Sequence, residues 1–225
     1  MKIKFIGPGG TRHLLISQPK GYGTGGFIIK GEKNIYIDPG PGALVKSIKY
    51  GEKLKSIDEI IVTHFHLDHY GDVLGIIEAV TETERKTVLR ADSLTIKHID
   101  QYHKNFVDVI NLSETKYTFK INHGIEGYGI KIEDIYYTSD GSYSEVNVKA
   151  GVLIANLVRE KSEEPLIHMS LEDLDKYIEA VDPDIVILNH FSKLILNKIH
   201  KIADKLREKY NKRFIVAKEN MEIEI

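Results

Sequence analysis

No cysteine occurs among the 225 residues. That excludes disulfides, thiolate–zinc sites and a cysteine nucleophile together, and it fits a reducing compartment. Any bound metal must then be held by histidine and carboxylate. No apolar run approaches the roughly 18 residues of a membrane span. The N-terminal Met1-Lys2-Ile3-Lys4-Phe5-Ile6-Gly7 alternates charge with apolar residues and breaks at Gly7-Pro8, so it reads as a first strand rather than a signal peptide. The expectation is a soluble cytoplasmic protein without a membrane partner. Positive charge is not in excess either: a formal net charge of -2 supplies no general field for nucleic acid, which leaves a local basic groove as the one route to RNA. No low-complexity linker divides the chain, and 42% hydrophobic composition suffices for a full core. Residues 1–225 are therefore expected to form one domain, with the oligomeric state, homo-oligomer included, left open.

What the chain does contain is a dense cluster of metal-type side chains. Thr63-His64-Phe65-His66-Leu67-Asp68-His69 follows directly on the apolar run Ile60-Ile61-Val62. A strand ending there projects His64 and His66, two apart, on one side. Asp68 and His69 follow as the chain turns and face a second point. One imidazole pair and one carboxylate/imidazole pair suit two adjacent cations, and borderline metals such as zinc take these ligands. A plain histidine-rich surface loop fits poorly after such a β-run.

Alternating apolar residues predict strands near 2–6, 26–30 and 34–38 and a buried strand over 58–63. Val73, Ile76, Ile77 and Val80 form a helical stripe. Further strands are expected over 87–90, 116–121, 129–132 and 135–138, and a buried one over 152–158. Ser170-Leu171-Glu172-Asp173 reads as a helix N-cap with an acid at the third position, opening a helix that Asp182-Pro183 stops. A strand over 185–188, one charged helix over 193–210, and two closing strands at 213–218 and 221–225 complete the pattern.

Polar residues recur where these strands end, the usual place for a scaffold to present function: Asn122-His123-Gly124, Ser139-Asp140-Gly141 and Asn189-His190-Phe191. Each alone has the ordinary alternative of a turn or cap residue, and their joint placement is what weighs. Gly21-Tyr22-Gly23-Thr24-Gly25-Gly26 satisfies G-x-G-x-x-G but precedes a strand instead of opening a helix, so the dinucleotide reading fails its context. With Gly7-Pro8-Gly9-Gly10-Thr11 it is expected to turn the chain, and Arg12 and His13 are candidates there for substrate contact. His98, His103 and His200 have no partner by spacing and read as solvated or packed side chains. Tyr22, Tyr70 and Tyr143 flank these segments as candidate pocket walls or ordinary packing.

These residues, taken in order with Asp38 of Ile37-Asp38-Pro39-Gly40, resemble the metallo-β-lactamase fold superfamily over nearly the whole length. The resemblance implies an α/β fold, a four-layer αβ/βα sandwich of two mixed β-sheets with flanking helices. It implies two divalent metal ions, with His64, His66 and His123 on one, Asp68, His69 and His190 on the other, and Asp140 bridging. Asp38 would accept a hydrogen bond from a ligand imidazole and orient it. Zinc is the default metal, with manganese and iron as alternatives.

A narrower likeness, carried by His168-Met169-Ser170-Leu171-Glu172-Asp173 and Leu188-Asn189-His190-Phe191-Ser192, is to the phosphodiesterase branch that includes tRNase Z and the cyclic-phosphate phosphodiesterase of phosphonate breakdown. It implies a metal-bridging hydroxide attacking phosphorus, Asp68 as a catalytic ligand, and His168 as general acid or stabiliser of phosphate charge. The interval from His123 to Asp140 is too short for the arm with which tRNase Z grips tRNA, which favours a small phosphodiester or cyclic phosphate. The alternatives are a tRNA 3′-processing-like ribonuclease, a lactone or thioester hydrolase in which His168 matters little, and a catalytically weak metal-binding regulatory protein. β-Lactamase activity itself is disfavoured by Asp68 and the His168/His190 pair.

Overall fold

The computed structural model describes residues 1–162 and 167–225. They divide into two compact units, residues 1–116 with 218–225, and residues 117–217. The first unit opens with β1 (Lys2–Pro8), α1 (Thr11–Ser17), β2 (Thr24–Lys30), β3 (Asn34–Ile37), α2 (Ala43–Lys49) and β4 (Glu59–Val62). It continues with α3 (Leu67–Tyr70), α4 (Val73–Thr81), β5 (Thr87–Ala91), α5 (Ser93–His98), α6 (Gln101–Lys104) and β6 (Val107–Asn111). The second unit contains β7 (Thr118–Lys120), β8 (Tyr128–Ile132), β9 (Ile135–Tyr137), β10 (Val152–Asn156), α7 (Leu171–Val181), β11 (Ile185–Asn189), α8 (Lys193–Leu196), α9 (Ile199–Tyr210) and β12 (Arg213–Val216). The chain then returns to the first unit, where β13 (Glu222–Glu224) pairs antiparallel with β1.

Both sheets are mixed. The first has strand order β13-β1-β2-β3-β4-β5-β6, and β3 to β6 run parallel. The second has order β12-β11-β10-β9-β8-β7, with β9 to β12 parallel and β7–β8–β9 an antiparallel meander. The parallel strands β4 and β10 are buried along their whole length, Glu59 at the start of β4 and Asn156 at the end of β10 being the polar members of otherwise apolar runs. Helix α4 buries Val73, Ile76, Ile77 and Val80, the predicted stripe, in the core around Tyr36, Ile60 and Leu89. The predicted cap at Ser170 is a complete capping box with Asp173, which satisfies two orphan donors of α7.

Several elements differ from expectation, among them the short helices α2, α3, α5 and α6, which the sequence pattern did not predict. The segment after Gly9-Gly10 is helix α1, which buries only Leu14 and therefore carries no apolar stripe to read. Strand β6 is an edge strand with Asp108 and Val109 exposed, so its alternation is broken. The helix expected over 193–210 is two, α8 and α9, separated at Asn197-Lys198, where Asn197 is a poor helix former.

The C-terminal segment is locked into the first unit by Glu219. Its carboxylate accepts from Lys46 Nζ at 2.7 Å, Tyr50 Oη at 3.1 Å and the Gly23 amide at 2.9 Å. Burial raises the carboxyl pKa, but Lys46 and the other donors outweigh it and leave the group below its ordinary value. A depressed folded-state pKa gives stability that is present above the unfolded value and lost as pH falls through the folded one. Glu219→Gln should therefore be less stable than wild type near pH 7, with the gap closing as pH drops below about 4. Urea denaturation across that range measures it, and a pH-independent gap would contradict the assignment.

Candidate metal centre

In both units most of the polar residues picked out by spacing lie just beyond the carboxyl ends of parallel strands, the edge where open α/β sheets place their ligands, whereas His123 follows β7 of the antiparallel meander. Asp38 follows β3, and Thr63 and His64 follow β4. Asp140 follows β9, and His190 follows β11. Asp38, Ser139 and His190 all have left-handed backbones, with φ of 51°, 55° and 54°. A non-glycine residue in that region costs on the order of 1–3 kcal/mol and persists where the surroundings hold it. Gly40 is needed for the same turn, because a Cβ there would stand 1.8 Å from the carbonyl oxygen of Asp68.

The first unit carries four of the predicted ligands. His64 Nε2 and His66 Nδ1 lie 3.1 Å apart, and His69 Nε2 is 3.9 Å from Asp68 Oδ2. These are the imidazole pair and the carboxylate/imidazole pair that the spacing implied. Asp38, 3% exposed, orients two of these imidazoles. Its Oδ2 accepts from His69 Nδ1 at 2.9 Å, which leaves His69 Nε2 as the lone-pair nitrogen. The Thr63 amide and hydroxyl also donate to Asp38, at 2.7 and 2.8 Å. With its single proton so used, Thr63 Oγ1 accepts from His64 Nδ1 at 3.2 Å, and His64 Nε2 is left with its lone pair toward His66.

Asp68 is held by the Thr11 amide, which donates to Oδ2 at 2.7 Å. Thr11 itself is a β-branched residue at φ 65°, a strained conformation placed against a candidate ligand. Arg12 and His13 sit in the first turn of α1, exposed. Neither side chain forms a hydrogen bond or ion pair among the described residues. His98 stacks on Phe65 at 4.3 Å, and His103 pairs with Asp100 and Glu78.

The second unit gathers imidazoles around Asp140, which is 3% exposed. His123 Nε2 lies 3.6 Å from Oδ2, His168 Nδ1 lies 4.0 Å from Oδ2, and His190 Nδ1 lies 3.4 Å from Oδ1. His123 donates Nδ1–H to the Ile167 carbonyl at 3.0 Å, so in the neutral ring Nε2 carries the lone pair, as for His69. Burial is the main force that pushes the His168 imidazole down to about 4; Asp140 opposes it, while His123, His190 and Arg159 add to it. His168 is therefore neutral near pH 7, and its Nδ1 is buried without a hydrogen-bond partner among the described residues.

Asn156, which closes the buried strand β10, was not singled out by its sequence context. Its Nδ2 donates to Asp140 Oδ1 and to Tyr137 Oη, both at 2.8 Å, and its Oδ1 accepts from Asn189 Nδ2 at 3.0 Å. The one available signal was a lone amide inside an otherwise apolar run.

Both donor sets fit divalent cations of the zinc class. Each offers buried imidazole nitrogens whose second nitrogen is already committed to protein, together with a carboxylate, and neither offers sulfur. His123, Asp140 and His168 alone bring three ligand atoms within 4.8 Å of one another.

The comparisons agree with this chemistry. The family model described as Metallo-beta-lactamase superfamily matches residues 20–153, more than half of the chain. An uncharacterized protein of Methanocaldococcus jannaschii is 28% identical over 228 residues, covering 88% of this chain and 85% of that protein. Three solved structures share the fold. The metallo-β-lactamase fold protein YhfI of Bacillus subtilis has a TM-score of 0.79 and 18% identity, over 99% of this chain and 98% of that one. A diphosphatase from the PhnP family has 0.73 and 16%, over 100% and 98%. The short form of human tRNase Z has 0.71 and 14%, over 100% and 99%. No helix among the described residues is long and apolar enough to cross a membrane.

Two substitutions probe the supports and spare the ligands. Asp38→Asn places an amide against the donors of His69 and Thr63, and Asn156→Leu removes the clamp on Asp140. Each should weaken zinc binding about 10–100-fold, read by calorimetry against a competing chelator. Wild-type affinity in both variants would mean that the carboxylate and amide only pack.

Proposed function

The chain belongs to the metallo-β-lactamase superfamily, and on that premise we propose that it is a two-metal hydrolase of a small phosphodiester or cyclic phosphate, with zinc as the resident ion and the cytoplasm as its compartment. In this reading the whole chain, 1–225, works as one hydrolase. His64, His66 and His123 serve one ion, Asp68, His69 and His190 the other, and Asp140 serves both. When bound, such a pair lowers the pKa of a shared water toward about 7 and stabilises the attacking and leaving oxygens of an in-line displacement.

The chain's own groups do the rest. Asp38 holds His69 by a direct hydrogen bond and His64 through Thr63, so that both present lone pairs. Asn156 fixes one oxygen of Asp140. His168 supplies a ring nitrogen beside that carboxylate, placed to meet a phosphoryl oxygen or the departing alkoxide. This nitrogen, buried and unsatisfied among the described residues, is the observation that carries the phosphodiester reading. Hydrolysis of a lactone or thioester has no need of it. The PhnP-family likeness supports a small substrate. The tRNase Z likeness keeps RNA as the second reading, which the net charge and the short interval between His123 and Asp140 disfavour.

Zinc-loaded wild type, Asp140→Ala and His168→Ala should be compared on an aryl phosphodiester, a cyclic nucleotide, a lactone and a pre-tRNA. The expected pattern is phosphodiester cleavage by wild type, its loss in Asp140→Ala, and a fall of about 100-fold or more in His168→Ala. Lactone turnover that survives in His168→Ala would replace this reading with the ester one. Selective cleavage of pre-tRNA would replace it with the ribonuclease.

A further inference from the structure

Where β1 gives way to α1, the first unit holds a residue whose conformation is costly and whose side chain the proposed mechanism does not use. Thr11 has φ 65°, a region that glycine and asparagine enter readily and a β-branched residue enters only when its surroundings force it. Here they do so from two sides. The Gly9 amide donates to the Gly23 carbonyl at 2.9 Å, and a Cβ on Gly9 would stand 1.8 Å from the carbonyl oxygen of Tyr22. On the other side the Thr11 amide donates to Asp68 Oδ2 at 2.7 Å. The strained turn is thus clamped between the β2 entry and a carboxylate of the candidate metal centre.

The side chain adds a second cost. Thr11 Oγ1 is buried and has no hydrogen-bond partner among the described residues. A buried hydroxyl without a partner is destabilising, and valine would fill the same space without that penalty. The fold does not need the hydroxyl, since the amide makes the contact with Asp68 and glycine would make the turn. Covalent geometry fixes where it stands. Oγ1 is three bonds from its own amide nitrogen and so no more than about 4 Å from it, and that nitrogen is 2.7 Å from Asp68 Oδ2. The hydroxyl therefore lies within about 7 Å of the carboxylate, a span that one oxygen of a bound anion fills.

We propose that Thr11 is a substrate-binding residue, whose hydroxyl donates to a non-bridging oxygen of the phosphoryl group held beside Asp68. The proposal rests on the phosphodiester reading and deepens it. A hydrogen bond to an anionic oxygen is stronger than one between neutral groups. The donor is also set in place by Gly9 and Asp68 before the anion arrives, so little ordering opposes the contact.

Inorganic phosphate is the probe. It is titrated calorimetrically into zinc-loaded wild type, Thr11→Val and Thr11→Ser, with zinc content and urea stability measured on each protein. Valine keeps the branch and removes only the hydroxyl, so the two readouts should part. Thr11→Val should be at least as stable as wild type, with unchanged zinc stoichiometry, yet bind phosphate about 10-fold more weakly, and Thr11→Ser should restore the affinity. Equal phosphate affinity in wild type and Thr11→Val overturns the assignment. So does zinc-loaded wild type that takes up no phosphate.

If Thr11→Val does not fold, Thr11→Gly replaces it, since glycine suits the positive φ and also lacks the hydroxyl. The same loss of phosphate affinity is expected there, and full affinity refutes the contact. The two readings fail separately. Phosphate held through Thr11 in a protein that cleaves no phosphodiester sinks the activity and leaves the contact standing. Phosphodiester cleavage with full phosphate affinity in Thr11→Val does the reverse.

Discussion

One buried carboxylate governs what the first unit can offer a cation. A histidine ligand is useful only if the nitrogen facing the metal carries the lone pair, and that is decided at the other side of the ring. Asp38 decides it for two histidines, directly for His69 and through the Thr63 hydroxyl for His64. To do so it must sit within hydrogen-bond reach of the end of β4, and the left-handed turn after β3 puts it there. The close approach of Gly40 to Asp68 follows from the same turn. Backbone strain, burial of a charge and a side-chain-free glycine are three costs with one geometric purpose.

The second unit reaches an equivalent result with different residues. Here the carboxylate is itself a candidate ligand, and an amide restrains it. Asn156 donates to both Asp140 and Tyr137 while accepting from Asn189, so its orientation is fixed by neighbours and cannot flip without losing bonds in a dry environment. His123 is oriented by a backbone carbonyl. In each unit the polar groups stand at the ends of strands whose apolar residues are fully packed, so rigidity comes from the sheet and chemistry from its edge.

Much of this was legible in the amino-acid order because the signals were local. The stripe Val73, Ile76, Ile77, Val80 and the Ser170/Asp173 cap each specify a conformation within one or two turns of chain. The histidine cluster likewise declares its chemistry in seven residues. Helix α1 and edge strand β6 were illegible for the converse reason: they bury too little to impose a period. The contacts of Asn156 and Thr11 could not be read because each depends on a neighbour distant in sequence. Asn156 reaches Asp140 only because β9 and β10 are adjacent, and Thr11 matters only because its amide meets Asp68. Closing strands β12 and β13, continuous in sequence and similar in pattern, belong to different sheets, a distinction that pairing makes and composition does not.

The fold leaves substrate choice open, since a diphosphatase and a tRNase Z share it with this chain. Metal ligands cannot make that choice either, because a pair of cations activates water toward esters and phosphodiesters alike. What differs between those substrates is charge in the ground state. A phosphodiester carries a negative charge that an ester lacks, and residues that meet this charge act before any bond changes. His168 is a candidate of this kind at the edge of the second unit, a neutral imidazole with a ring nitrogen unsatisfied among the described residues. If selectivity for phosphate exists in this protein, this position, which lies outside the assigned ligand set, is one place where the structure offers to encode it.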